Sequence, residues 1–486
     1  MSEEIPASKY LEIFKQMKLI NVGSNNRRTS IVNTYTKDEV KDLLKTRENR
    51  KSQQKLRTIS KNLYEASGHY KSLINYFSTL HTMDHIVEPL SVDINSVNVK
   101  KYRKEYEEYC RAIEQMDIAN SFSEARMIAY MEGVFYGYAR VSKDGFYIQK
   151  LDPDYCKISG INSNNGLLVY SFDFSYFDIN PSQFSSFPDE FKTIHTRVSS
   201  GNQKTDKWEV IDSPFAVCIK TSIDYNPTPA FASVFEGILD IADFKSLAKT
   251  KEEIDNFMLL LQKIPMKPDE ANKYMLDADT VFEMDEALRE NTPDQVSTVT
   301  GPMDITAIKF EKDSFDKNKV GQATEQLWEE SGVSGLLFNT SSNTTTALKY
   351  SLTTDEASAF RLIKNIEVWC NAYLLLTLKT KYPFKLDILP ATKHNRNELL
   401  ESALKAANSG FSTKNEIMAL RGYSPNAATM NSFLENEILN LPDKLIPLSS
   451  AHTSSSDSSK GQPEKPIEKL SENGVKTREN ESNEDV

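Results

Sequence analysis

The sequence predicts an α+β protein, and three observations carry that expectation. Apolar residues recur at helical spacing through most of the first 140 residues. The spacing then falls to two between Tyr138 and Lys220, where short strands alternate with turn dipeptides. Beyond residue 228 the helical period returns, so helices and strands are segregated along the chain and do not alternate as in a parallel α/β sheet.

Residues 1–35 show no periodicity and read as an irregular arm. Thr36-Lys-Asp-Glu39 is a capping box, in which the threonine hydroxyl and the glutamate carboxylate satisfy two amides that a helix start leaves orphaned, and it opens a helix through Lys45. The basic stretch from Lys45 to Arg57 contains Arg47, Arg50, Lys51, Lys55 and Arg57. It reads as a solvated helix face more readily than as a nucleic-acid patch, because aromatic interleaving is absent and acidic residues outweigh it elsewhere. Leu56, Ile59 and Leu63, then Tyr70, Leu73, Ile74, Phe77 and Leu80, extend the helical spacing, with Gly68 as the expected break. Residues 99–140 are again read as helical.

Strands are expected at Tyr138–Val141, Phe146–Gln149, Leu167–Phe174, Trp208–Ile211 and Phe215–Lys220, punctuated by Asp144-Gly145, Asp152-Pro153 and Asn165-Gly166. Thr228 then caps a helix with Pro229 in its first turn, and Val234, Ile238, Ile241, Phe244, Leu247, Ile254, Phe257 and Leu261 carry it to Pro265. At 1.5 Å per residue such a helix is about 50 Å long and needs neighbours along its whole length. Residues 265–312 form an insertion with short strands at Thr280–Glu283 and Ile305–Lys309. A helix from Ser314 to Ser331 stops at Gly332, a polar loop follows, and a second capping box, Thr353-Thr-Asp-Glu356, opens the helix through Trp369. A strand at Phe384–Leu389 and two short helices, Arg396–Ala407 and Lys414–Leu420, complete the folded part, with stop signals at Gly410 and Gly422. Beyond Ser449 the composition is Ser, Glu, Lys, Asn and Pro, which cannot form a core and reads as disordered.

Composition narrows the function. The 39% hydrophobic content suits a folded chain, and neither an apolar run of membrane length nor a signal-peptide pattern is seen, so a soluble protein of the cytoplasm is expected. The net charge of −11 argues against affinity built on wrapping phosphates. The same charge suits a channel, in which weak repulsion keeps a duplex sliding. Cys110, Cys156, Cys218 and Cys370 lie far apart and read as reduced thiols. No phosphate-binding loop, dinucleotide fingerprint, nucleophile elbow or HExxH is present, and no cofactor or catalytic residue is expected. His81 and His85 lack a third ligand, Ser52-Gln-Gln-Lys55 and Ser246-Leu-Ala-Lys249 lack the partner motifs of SxxK chemistry, and Glu329-Glu330 reads as surface charge.

Against this background the chain resembles the portal proteins of tailed bacteriophages. Asn62–Tyr76 followed by His85-Ile-Val-Glu-Pro89 is similar to the family's early wing segment, and Gly137–Ile158 to its wing sheet. The long helix to Pro265, the insertion, the helix to Gly332 and the polar loop look like stem, clip, second stem helix and tunnel loop. Gly422-Tyr-Ser-Pro425 sits where the crown begins to end. The resemblance covers about residues 35–445 and rests on the ordered series. It implies an arm at 1–35, a wing at 36–227, a stem helix at 228–264, a clip at 265–312, a second stem helix at 313–332 and a tunnel loop at 333–348. A long wing helix with its return strand follows at 349–390, a helical crown at 391–448 and a disordered tail at 449–486. It also implies a non-enzymatic ring of about twelve subunits at one capsid vertex, conducting double-stranded DNA during packaging and ejection. The partners implied are the large terminase, a head–tail adaptor, the major capsid protein and scaffolding protein, and the location is the virion after synthesis in the host cytoplasm. Asn339, Thr340, Ser341, Ser342, Asn343, Thr344, Thr345, Thr346 and Lys349 are the residues implied to face the DNA channel. The alternative is a coiled-coil scaffolding or head–tail adaptor protein, whose heptads would run unbroken.

Overall fold

The computed structural model describes residues 35–142, 145–200, 207–222, 224–255, 258–263, 265, 267–268, 275–276, 278–290, 296–301, 319–333, 337 and 345–444. By internal contacts the chain divides into Met1–Ala428 and Thr429–Val486.

The first layer is helical. Helix α1 (Lys37–Lys45) opens on the expected capping box, with Thr36 accepting from the amide of Glu39 and Glu39 accepting in return. Helices α2 (Arg50–Ala66) and α3 (Gly68–Thr79) meet at Ser67. This one extended residue donates its amide to Leu63 to end α2, and its hydroxyl accepts from Tyr70 to start α3. The break therefore belongs to the serine, and Gly68 keeps ordinary dihedrals. Strand β1 (His85–Pro89) follows, then helix α4 (Val99–Met116) and helix α5 (Ser123–Glu132). Helix gives way to sheet at Gly133, earlier than the spacing suggested, because residues 134–139 are apolar at every position and both periods fit them.

That double-sided run is strand β2 (Val134–Ser142), flanked by β3 (Gly145–Lys150) and later by β7 (Ala216–Lys220), both antiparallel. Its alternation feeds two separate cores. Phe135 and Ala139 join the helical layer, whereas Val134, Tyr136 and Tyr138 enter a second core with Tyr170, Phe172, Phe174 and Phe191. The second core lies beneath β4 (Cys156–Ile161), β5 (Leu168–Asp173) and β6 (Trp208–Ile211), with helix α6 (Asp189–Ser200) contributing Phe191. All four cysteines are buried free thiols.

Three expected boundaries change in the second half. Thr228 and Pro229 precede a short 3₁₀ turn, and helix α7 is Phe235–Asp255, ending where β8 (Met258–Lys263) begins. At 1.5 Å per residue α7 is about 30 Å long. Thr280–Glu283 lies inside helix α8 (Ala278–Glu290), and β9 (Val296–Gly301) pairs with β8 in parallel register. The strand expected at Ile305–Lys309 lies outside the described residues. Helix α9 is described from Lys319 to Ser331 and stops at Gly332, whose positive φ of 70° matches the expected stop.

Helix α10 runs unbroken from Thr345 to Leu378. The second capping box is therefore mid-helix, and the hydroxyls of Thr353 and Thr354 bond back to the carbonyls of Lys349 and Tyr350. At about 50 Å, α10 is the long helix of the molecule. Trp369 donates its indole N–H to the carbonyl of Ala216 at 2.7 Å and stacks on Tyr373, which docks the helix on strand β7. Strand β10 (Phe384–Ile388) then pairs antiparallel with β1, His85 opposite Ile388 and Pro89 opposite Phe384. The outer edge of β10 is held by α10. Asn371 donates to the carbonyl of Leu386 and accepts from its amide, both at 2.8 Å, and Glu367 accepts from Ile388 at 2.9 Å. Buried Glu105 of α4 accepts from the amides of Lys381 and Tyr382 in the preceding turn.

Helices α11 (Arg396–Asn408) and α12 (Lys414–Leu420) follow, ended as expected by Gly410 and Gly422 with φ of 89° and 94°. The remaining described elements are helix α13 (Pro425–Phe433), a π-helical turn at Leu434–Ile438 and a short helix at Leu441–Lys444.

Candidate channel segment

The segment from Gly332 to Thr345 joins α9 to α10. Asn339, Thr340, Ser341, Ser342, Asn343 and Thr344 lie outside the described residues. Thr345 and Thr346 are the first two residues of α10 by backbone, and Lys349 stands one turn further along the same helix. Lys349 is exposed and paired with Glu398 of α11 at 2.7 Å. The loop is thus shorter at its C-terminal end than the sequence suggested, because the helix continues upstream of the Thr353 signal.

Packing fixes the N-terminal end of this segment. Helix α9 lies against the start of α7, where Gly237 leaves room for Leu327, since a Cβ there would meet the leucine side chain at 3.2 Å. Leu327 and Trp328 are buried, and the Trp328 ring meets His69 of α3 edge-on. Helix α1 straps the same region of α7 through pairs of Lys37 with Asp240 and Asp243 and of Lys41 with Glu236. These partners are substantially exposed, so each pair contributes well under about 1 kcal/mol.

Between α3, α5, the 3₁₀ turn, the end of α9 and α10 lies a cleft of about 430 Å³. Phe77, Tyr130 and Phe231 line it with aromatic surface, and Thr228, Ser331, Thr354 and Ser358 line it with hydroxyls. Its ionic groups are Asp355 and Arg361. Asp355 is buried and accepts from the Tyr76 hydroxyl at 3.0 Å. Burial pushes its carboxyl up to about 6, against the opposing effect of that hydrogen bond and with added repulsion from Glu356.

The sign of the resulting pH dependence follows directly. Between the ordinary value of 3.8 and about 6, folded Asp355 holds a proton that the unfolded chain has released. Stability therefore falls as pH rises through that window and stays lower above it. Asp355→Asn, which keeps an acceptor for Tyr76, should raise stability at pH 7 by on the order of 2 kcal/mol and leave it nearly unchanged at pH 4. Urea melts at the two pH values measure this, and equal midpoints at pH 7 would refute the burial argument.

His81 and His85, four apart in sequence, do not share a helix face. His81 is buried beside Phe360 and bonds the carbonyl of Glu356, while His85 sits in β1 and bonds the carbonyl of Met83. Among the described residues no group of three His, Cys, Asp or Glu side chains is placed to hold a metal. The basic stretch is also not a solvated face throughout. Arg57 is buried, and Arg50 lies over the Trp208 ring at 4.3 Å. Helical spacing on α2 could have revealed this, because Gln53, Leu56, Arg57 and Ser60 share the buried side of that helix.

No family model matches the chain, and no curated protein matches it. Among solved structures, a chain of the "neck of empty GTA particle computed with C6 symmetry" is similar over 73% of this chain and 88% of that one, at 13% identity and a TM-score of 0.37. Among the described residues no helix is long and apolar enough to cross a membrane.

Proposed function

We propose that this chain is the portal subunit of a tailed bacteriophage: a ring protein at one capsid vertex that conducts double-stranded DNA during packaging and ejection. The observation that carries the reading is the hairpin of the second half. Helices α7 and α9 pack together and flank an insertion holding β8, α8 and β9, and the chain then enters the polar segment before α10 returns it to the wing sheet. A coiled-coil scaffolding or adaptor protein would keep its heptads unbroken, whereas α7 stops at Asp255 and a strand follows within three residues.

Two further features support a ring. The described sheet of the insertion has only two strands, paired in parallel, a form that is marginal without neighbours. Helix α7 buries Ile238 and Ile241 near its start but presents Leu247 to solvent further along, a face that side-by-side copies would cover. Under this reading the channel is passive, because the sequence lacks a phosphate-binding loop. The large terminase supplies the motor by docking at the insertion, and a head–tail adaptor replaces it after packaging. The major capsid protein and scaffolding protein surround the wing, and Asn339–Thr346 with Lys349 lie nearest the DNA.

End-on electron micrographs of the purified protein should show closed rings of about twelve subunits with a central hole wide enough for a duplex. Sedimentation showing only monomer or dimer at micromolar concentration, across low and high salt, would defeat the reading.

A further inference from the structure

The basic stretch of α2 is not absorbed by the channel reading. Its inward-turned arginines line a second cleft, of about 220 Å³, between α2, the start of β4 and the loop at residues 225–227. Arg50, Arg57 and Lys157 contribute cations to its lining, Tyr136 and Tyr225 contribute rings, and Glu48 is the one acidic residue there. Arg57 is only 5% exposed. One terminal nitrogen reaches Asp154, but its buried Nε–H has no acceptor among the described residues. Arg50 donates to the backbone carbonyl of Asp154 and not to a carboxylate. Arg50 and Lys157 each lie against the Trp208 ring, at 4.3 and 4.4 Å from its centre, which holds both side chains in place.

The buried Arg57 guanidinium keeps an unsatisfied donor beside a second guanidinium, with Lys157 in the same lining, and the carboxylates around them are exposed Asp154, exposed Glu48 and, near Arg50, Asp173, none of which reaches that donor. We propose that this cleft is an oxyanion site that takes a phosphate group, free or as the monoester of a small molecule. Phosphate fits better than a carboxylate because the donors outnumber what two oxygens accept, and forked guanidiniums match its tetrahedral oxygens. Duplex DNA is too wide to bring a backbone phosphate to a residue as buried as Arg57.

The test uses the full chain. Inorganic phosphate at ten times its dissociation constant should shift the folding equilibrium about 11-fold toward the native state and raise the melting temperature, while sodium chloride at matched ionic strength should not. Because Arg57 variants risk misfolding, the decisive variant is the double substitution Arg50→Gln with Lys157→Gln, at positions that are more exposed. Calorimetric affinity for inorganic phosphate should fall at least tenfold in that variant. A smaller loss overturns the site, as does an equal rise in melting temperature with chloride. Acetate binding more tightly than phosphate, or binding of a short duplex without binding of inorganic phosphate, overturns the assignment to a phosphate group. A nucleoside monophosphate binding more tightly than phosphate supports the monoester, and the reverse order supports the free ion.

Discussion

Gly133→Ala should leave almost no soluble folded protein. Gly133 closes helix α5 at a φ of 85°, and a Cβ built there falls 2.2 Å from the carbonyl oxygen, 2.5 Å from the carbonyl carbon and 2.9 Å from the nitrogen of Thr228. The obstacle is backbone, which no rotamer change relieves. That backbone is pinned on both sides, since Thr221 donates its amide to the Gly133 carbonyl and Ala230 donates to Tyr130. The left-handed conformation alone costs alanine about 1–2 kcal/mol, and displacing residues 228–230 from the core raises the total above about 3 kcal/mol. Stabilities of ordinary domains are about 5–15 kcal/mol, so a loss of that size depletes the native state in cells. Gly68→Ala is the control: nothing lies within 4 Å of its Cβ position, and its helical backbone favours alanine. A melting temperature for Gly133→Ala within about 2 °C of the natural chain would show that Thr228 yields easily.

Under the proposed portal reading, substituting Thr344→Arg and Thr345→Arg together should leave rings intact and abolish normal DNA packaging or retention. The helices that hold the segment are anchored away from its tip, α9 through Leu327 and Trp328 and α10 through Ile363, Ile366 and Trp369, so assembly has no reason to fail. Two cations per subunit, repeated around a constriction, would each meet a phosphate in a place where Asn, Ser and Thr offer only neutral hydrogen bonds. Particles are scored for ring formation by microscopy and for DNA content by nuclease protection. Variant particles that fill and hold DNA like the parent would remove residues 344–345 from the constriction.

How much was legible in the sequence depended on whether a local signal had a competitor. Thr36, Gly332, Gly410 and Gly422 each mark an element end by their own chemistry, and all four do so in the structure. Strands β3, β5 and β6 were readable because turn signals set them off and their aromatic and β-branched residues favour extended backbone. Residues 134–139 were misread because a strand buried on both faces loses its alternation. The Thr353 capping box failed because a threonine hydroxyl bonds its own helix as readily as it caps one, and packing of Ala359, Leu362 and Ile363 keeps the helix going. The run to Pro265 looked helical because Phe257 and Leu261 happen to continue the spacing, although Met258–Lys263 pairs as a strand. At the candidate segment the residue types were legible but not the helix boundary at Thr345, nor Asp355 behind it, whose burial depends on Tyr76 arriving from α3.

The pairing of β1 with β10 has a consequence for how the chain is made. Residues 85–89 find their partners only at residues 384–388, so the strand that borders the N-terminal helical layer stays open until the chain is four-fifths synthesised. At a translation rate of ~5–20 residues per second that interval is on the order of 15–60 s. During it the unpaired amides of β1 and the aromatic face that will receive Phe384, formed by Tyr102, Tyr106 and Tyr109, remain uncovered on the nascent chain. The outer edge is closed by α10, whose Asn371 and Glu367 bond Leu386 and Ile388 of β10. A truncated or stalled chain exposes a sticky strand where a completed one does not, so the fold itself separates finished chains from unfinished ones.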